Sequence, residues 1–192
     1  MKGCAIHFAF FHGCADCHTR NNLTVFTRTP VPAVPSVPPD WAITRALNEA
    51  WCSQCRSKRG VVIYDPTEPA PEAIRGSGYN GPPSPFGCPG RDRCRDVCGK
   101  LAVHAETRAL RSVIGGRDLD LVHVELAPDG RVVACDGPSC WQCSREIVDA
   151  RAIAGVWLYQ VAENGAAWHR YSAVEFHRAT LERCGLPSTR MP

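Results

Sequence analysis

Two short segments, His104-Ala105-Glu106 and Pro138-Ser139-Cys140-Trp141-Gln142-Cys143, constrain this chain more than anything else in it. They supply one imidazole, two thiolates and a carboxylate that need not bind metal, which is the donor set of a zinc that keeps its fourth position for water. Any fold that uses them must bring two distant segments into one coordination sphere. Either motif alone is weak. H-x-E occurs by chance, His104 by itself reads as a satisfied core histidine, and C-x-x-C serves structural zinc, redox and haem attachment equally well. Joined, with Glu106 just after the histidine, they read as a catalytic metal site.

Local patterning places both motifs at helix starts. A helix is predicted over 100–113, with His104 near its beginning and Gly115-Gly116 stopping it, and another helix begins at Cys140. Two positive helix ends would then face one site and favour negative charge there. The two thiolates cancel the formal charge of the ion, which still lowers the pKa of water from about 15.7 toward about 7. Glu106 is the expected proton carrier.

The rest of the chain reads as one α/β domain behind an extension. Its 192 residues, 44% hydrophobic and 21% charged, suit a single globular domain plus a tail. Residues 1–29 carry Cys4, Cys14, Cys17, His7, His12 and His18 without periodicity, and Pro30, Pro32, Pro35, Pro38 and Pro39 then form an extended linker. The boundary is set between 1–39 and 40–192. Asp40 is expected to cap a helix whose apolar stripe is Ile43, Ala46, Leu47, Ala50 and Trp51, ending near Ser57. Strands are expected at 61–64 and 73–78 as a hairpin, at 121–126 and at 155–160, with a last helix over 173–184. Strands alternating with helices beyond residue 90 favour parallel pairing, so a three-layer α/β/α sheet with an antiparallel first pair is expected.

Charge and cysteine usage narrow the function classes. A net charge of +3 lacks the basic footprint of a dedicated nucleic-acid binder, which makes small solutes the first substrate guess. The twelve cysteines lie mostly near histidines or in C-x-x-C spacing, as in metal binding within a reducing cytoplasm. Neither a signal-peptide pattern nor a run of about 18 apolar residues is present, so a cytoplasmic chain without a membrane span is expected. Cys14-Ala15-Asp16-Cys17-His18 has the haem-attachment form, yet without an export signal or haem pocket it reads as a metal-binding tail or an idle extension. His123, between Val122 and Val124, reads as a strand-face residue rather than a ligand. His169 and His177 have no evident partner, and Trp141 either shapes the pocket or packs.

Taken together, Arg56-Ser57-Lys58-Arg59-Gly60-Val61-Val62-Ile63, Gly78-Tyr79-Asn80-Gly81-Pro82-Pro83, the His104–Glu106 motif and the Cys140–Cys143 motif resemble the cytidine and deoxycytidylate deaminase superfamily, and more narrowly its deoxycytidylate branch. The resemblance runs from about Asp40 to Tyr159. It implies a cytidine-deaminase-like sheet of about five strands between helices, and zinc-dependent hydrolysis of a cytosine nucleotide or nucleoside, dCMP to dUMP first, with release of ammonia. It also implies that Asn80 contacts the substrate sugar with Tyr79 beside it, although Asn-Gly is equally a turn signal. Some deoxycytidylate deaminases carry a second, structural zinc. By that likeness Cys55, Cys88, Cys94 and Cys98 would hold it, with Cys52 as a substitute ligand; otherwise several are reduced core cysteines. A homo-oligomer is implied as well. One departure is Ser139, which stands where the family usually has proline directly before the first cysteine, and it alters the loop facing the base amino group. Two other functions remain open: deamination of a base in single-stranded DNA or tRNA, and a zinc-stabilised binding module without catalysis. Glu106 speaks against the module, because a structural zinc does not need it, and the modest net charge speaks against the polynucleotide.

Overall fold

The computed structural model describes residues 35–84, 86–88 and 101–188. Val61, Val62, Ile63 and Tyr64 form a continuous apolar run, the pattern of a strand covered on both faces, and all four are buried at the centre of β1 (Lys58–Tyr64). β1 pairs antiparallel with β2 (Ile74–Tyr79), as the hairpin prediction requires, and on its other edge antiparallel with β3 (Leu119–Leu126), where Val62 lies opposite Val122. β3 runs parallel to β4 (Ile153–Ala162), with His123 beside Leu158. β4 then pairs antiparallel with β5 (Gly165–Ser172), giving a five-stranded mixed sheet in the order β2-β1-β3-β4-β5 among the described residues.

Helices cover both faces, so the three-layer class read from the sequence is the one observed. On one face α1 (Asp40–Cys52) packs over Val62, Tyr64, Val122, Val124 and Trp157. On the other, α2 (Ala105–Arg111), α3 (Trp141–Ala150) and α4 (Ala173–Arg183) bury Ala105, Ala109, Ile147 and Phe176 against Val61, Ile63, Leu121 and Leu158. No helix among the described residues is long and apolar enough to cross a membrane.

Four local expectations change, the first being the helix expected over 100–113, which holds His104 only as the N-cap of Ala105–Arg111 because Val103 instead bridges to Gly81. Among the described strands only β3 and β4 pair in parallel, because β4 runs on to Ala162 and turns straight back at Gly165, whose φ of +125° suits glycine. The Asn164-Gly165 pair, a hairpin signal, marks a strand that the sequence reading left out. Helix α1 ends at Cys52 rather than near Ser57 and buries Ala42, Ala46 and Ala50, while Trp51 is 54% exposed. Gly60 is the reason: a Cβ there would collide with the carbonyl of Ala46 and the amide of Ala50, so only an alanine face approaches closely enough. Nor does Asp40 cap that helix. The Pro39 carbonyl accepts from the amides of Ala42 and Ile43 at 2.9 and 3.1 Å, and Asp40 sits in the first turn, where its charge favours the helix start.

A candidate metal centre and its cavity

His104 is the N-cap residue of α2 and Cys140 that of α3, with the Cys143 amide donating to the Cys140 sulfur at 3.4 Å. Both caps have extended backbone, which turns their side chains toward each other rather than along the helices. His104 Nδ1 lies 3.1 Å from Cys143 Sγ and 3.3 Å from Cys140 Sγ. The three donor atoms fall within 4.8 Å of one another, and this is the sole group of its kind among the described residues. One imidazole nitrogen and two soft sulfurs suit zinc, so the residues present fit the ion.

Protonation follows from that crowding. Hydrogen bonding from Cys143 and His104 pushes the Cys140 thiol down to about 4, while sharing a proton with Cys140, together with burial, pushes Cys143 up. The Cys140 sulfur also draws the His104 pKa upward. A thiolate–thiol–imidazole cluster of this kind is ready to lose protons to a cation.

Glu106 stands outside the ligand set. It is 5% exposed, with Oε2 3.7 Å from Cys143 Sγ and Oε1 3.9 Å from His123 Nδ1. Burial works to raise its pKa, but His123, its own amide, Arg59 and His104 outweigh burial and hold it below the usual carboxylate range. Burial meanwhile pushes His123 down, more than the Glu106 carboxylate pushes it up. The attraction to His123 is greatest while that imidazole carries a proton; with it neutral, the Glu106 amide, Arg59 and His104 remain to favour the carboxylate.

A cavity of about 350 Å³, counting its open mouth, adjoins the cluster. Its polar wall is Arg59, Glu106, His123 and Glu125; Leu158 and Phe176 supply apolar surface, and Ser139 and Cys140 border it from the loop before α3. Arg59 pairs with Glu125 at 3.1 Å across the β1–β3 ladder, where the two residues are register partners. The loop before α3 is clamped from α4, since Arg183 Nη1 donates to the Asp136 carbonyl at 2.6 Å.

Not every residue singled out in the sequence reaches this cavity. The Asn80 side chain is spent on the α1–β1 connection: its Oδ1 accepts from the Arg59 amide at 2.7 Å and Ser53 Oγ at 2.8 Å, and its Nδ2 donates to the Ser57 carbonyl at 2.8 Å. Tyr79 lies under the Arg108 guanidinium, 5.0 Å from ring centroid to carbon, in a separate groove with Cys52 and Phe86. Trp141 is 41% exposed beneath Arg145 and does not line the cavity. His177, without a partner in the sequence reading, sits 2.9 Å from Ser144 Oγ and ties α4 to α3. Cys55 is buried and Cys88 half-buried, whereas Cys94, Cys98 and the Cys14–Cys17–His18 cluster lie outside the described residues.

His123, Arg59 and Glu125 were not read as site residues. The signal was nonetheless present. Leu119, Leu121, His123 and Glu125 alternate on one face of β3, apolar for two positions and then polar, and this change marks where the core face opens onto the cavity.

No protein-family model matches the chain. No curated protein matches it either. Among solved structures it is similar to a dCMP deaminase from the cyanophage S-TIM5, solved in complex with dCMP and dUMP, at 21% identity over 59% of this chain and 75% of that one, with a TM-score of 0.39.

Proposed function

We propose that this chain is a zinc-dependent hydrolytic deaminase of a cytosine nucleotide or nucleoside, converting dCMP to dUMP with release of ammonia. The observation that carries this reading is Glu106, an ionised, buried carboxylate set against a His–Cys–Cys donor group without belonging to it. A structural zinc site is closed by four ligands and has no use for such a group. Held by His104, Cys140 and Cys143, zinc would acidify water and so supply a nucleophile at neutral pH.

Glu106 then does the proton work. Its Oε2 takes a proton from water as the oxygen bonds to C4 of the base, passes it to the ring nitrogen, and carries the next proton to the departing amine. Water replaces the amino group by oxygen, and the products are the uracil compound and ammonia. Leu158 and Phe176 offer apolar surface to a planar base, while Arg59 and Glu125 give the same cavity a cation and an acceptor. The choice of dCMP rests on the sequence resemblance.

A panel of dCMP, CMP, deoxycytidine, cytidine, adenosine and cytosine within single-stranded DNA, assayed for ammonia with zinc-loaded protein, tests the proposal. Turnover of a free cytosine nucleotide or nucleoside is expected. Turnover of the DNA alone would move the substrate to the polynucleotide class, and no turnover on any member would overturn the enzyme reading.

A further inference from the structure

The mechanism above leaves the half-buried His123 without a task. His123 comes from the middle of β3, faces the cavity, and has an Nε2 that is buried without any hydrogen-bond partner. Buried polar atoms of this kind are rare in native proteins, and each one calls for an explanation such as a catalytic role or a bound water. Its other nitrogen, Nδ1, is the nearer to Glu106, 3.9 Å from Oε1. The second carboxylate oxygen, Oε2, is the one next to the donor group, 3.7 Å from Cys143 Sγ. Glu106 is thus bracketed by the imidazole on one oxygen and the metal-ligand cluster on the other.

We propose that His123 is a positioning residue: its Nδ1–H holds Oε1 of Glu106, so that Oε2 stays on the side of the His104–Cys140–Cys143 group where protons are moved. This inference rests on the deaminase reading and assigns the residue that aims its proton carrier. The present separation exceeds a hydrogen bond, as catalytic contacts often do before substrate binds.

Three further observations support the assignment. The charged or titratable groups around His123 are Arg59 from β1, Glu125 on its own strand, Glu106 from α2 and Cys140 from the loop before α3. Burial is the largest influence on the imidazole and favours its neutral form, which has a single N–H to give. Given to Glu106, that proton leaves Nε2, the buried atom without a partner, as an acceptor rather than a donor. Nor can His123 drift away, since its strand is hydrogen-bonded on both edges, with Val61 and Leu158 as its register partners.

The test uses the zinc-loaded full chain and three substitutions. His123→Asn places an amide nitrogen near the position of Nδ1, His123→Gln reaches instead toward Nε2, and His123→Leu removes both. Expected are one equivalent of zinc at the catalytic ligands in every variant, kcat lowered about 10- to 100-fold in the Leu and Gln proteins with KM little changed, and substantial recovery in His123→Asn. Recovery no better than in the Leu protein, or wild-type kcat in all three, would overturn the proposal. A readout independent of turnover is ¹⁵N NMR of the imidazoles in the unsubstituted chain. The His123 signal should show the Nδ1–H tautomer and lose that preference in Glu106→Ala, whereas an Nε2–H tautomer in the parent protein would overturn the proposal even where a substituted chain fails to fold. If the parent deaminates nothing on the panel, the NMR result still decides whether His123 holds Glu106, which separates failure of the inference from failure of the enzyme reading.

Discussion

At the residue scale, Glu106 and Cys143 sit 3.7 Å apart and have different proposed roles, so replacing each should give separable outcomes. Cys143→Ala removes a sulfur from the donor group and should abolish both zinc retention and activity; full metal occupancy by elemental analysis would refute the ligand assignment. Glu106→Ala keeps every donor, so zinc content and melting temperature should hold while kcat falls by about 10² to 10⁴, the range of general acid–base contributions. Wild-type turnover in that variant would sink the mechanism even with the zinc in place. His104, Glu106, Cys140 and Cys143 were legible as a group because spacing along one chain fixes which side chains leave a helix start together. Asn80 was legible only as a motif. Its three hydrogen bonds to the 53–59 segment show a side chain that fixes the backbone of Arg59, a role no local pattern reveals.

At the scale of elements, the contact of α1 with β1 depends on the absence of one side chain. Gly60→Ala would force a methyl group into the backbone of Ala46 and Ala50, and backbone cannot rotate aside as a long side chain can. Overpacking of this kind typically costs about 1–3 kcal/mol. Urea unfolding should show a lower midpoint with an unchanged m-value, and an unaltered midpoint would mean that α1 does not lie as described. A different element sets the geometry of the cavity. Helix α4 begins in a capping box, where Ser172 Oγ accepts from the Glu175 amide and the Glu175 carboxylate accepts from the Ser172 amide, and it ends at Arg183, which holds the loop before Cys140. The helix was predicted from its periodicity, but its grip on that loop was not, because the partners Arg183 and Asp136 are far apart in sequence.

At the scale of the molecule, the extension and the proposed second metal site each have a measurable consequence. A chain beginning at Pro35 should fold, bind one catalytic zinc and keep turnover, because every proposed catalytic group lies beyond that point. One beginning at Asp40 loses the Pro39 carbonyl that caps α1 and the buried Pro38, and should be less stable by about 1–2 kcal/mol, read from its unfolding midpoint. Loss of zinc or activity in the Pro35 protein would make the Cys14, Cys17 and His18 cluster part of the working site. For the full chain, we propose two zinc equivalents, the second on Cys55, Cys88, Cys94 and Cys98. Cys94→Ser should then lower stability and the metal count together while the catalytic ion remains, and a single equivalent in saturated wild-type protein would remove the second site.

By itself the sequence pointed to His104, Cys140 and Cys143 as a group that could hold a metal, to the carboxylate beside it, and to the apolar strands of the sheet centre. Those are consequences of short-range periodicity: two residues per strand repeat, 3.6 per helical turn, and fixed spacings within a motif. Only the tertiary structure decided that β5 turns back antiparallel to β4, that α1 buries Ala42 with Ala46 and Ala50 and leaves Trp51 exposed, and that His123 lies near Glu106. Each of these depends on what a second segment places opposite the first, whether a tight turn at Gly165, a bare glycine at position 60 or a carboxylate on α2. Alternation shows which side chains share a face, but the segment packed against that face makes it core, surface or active site.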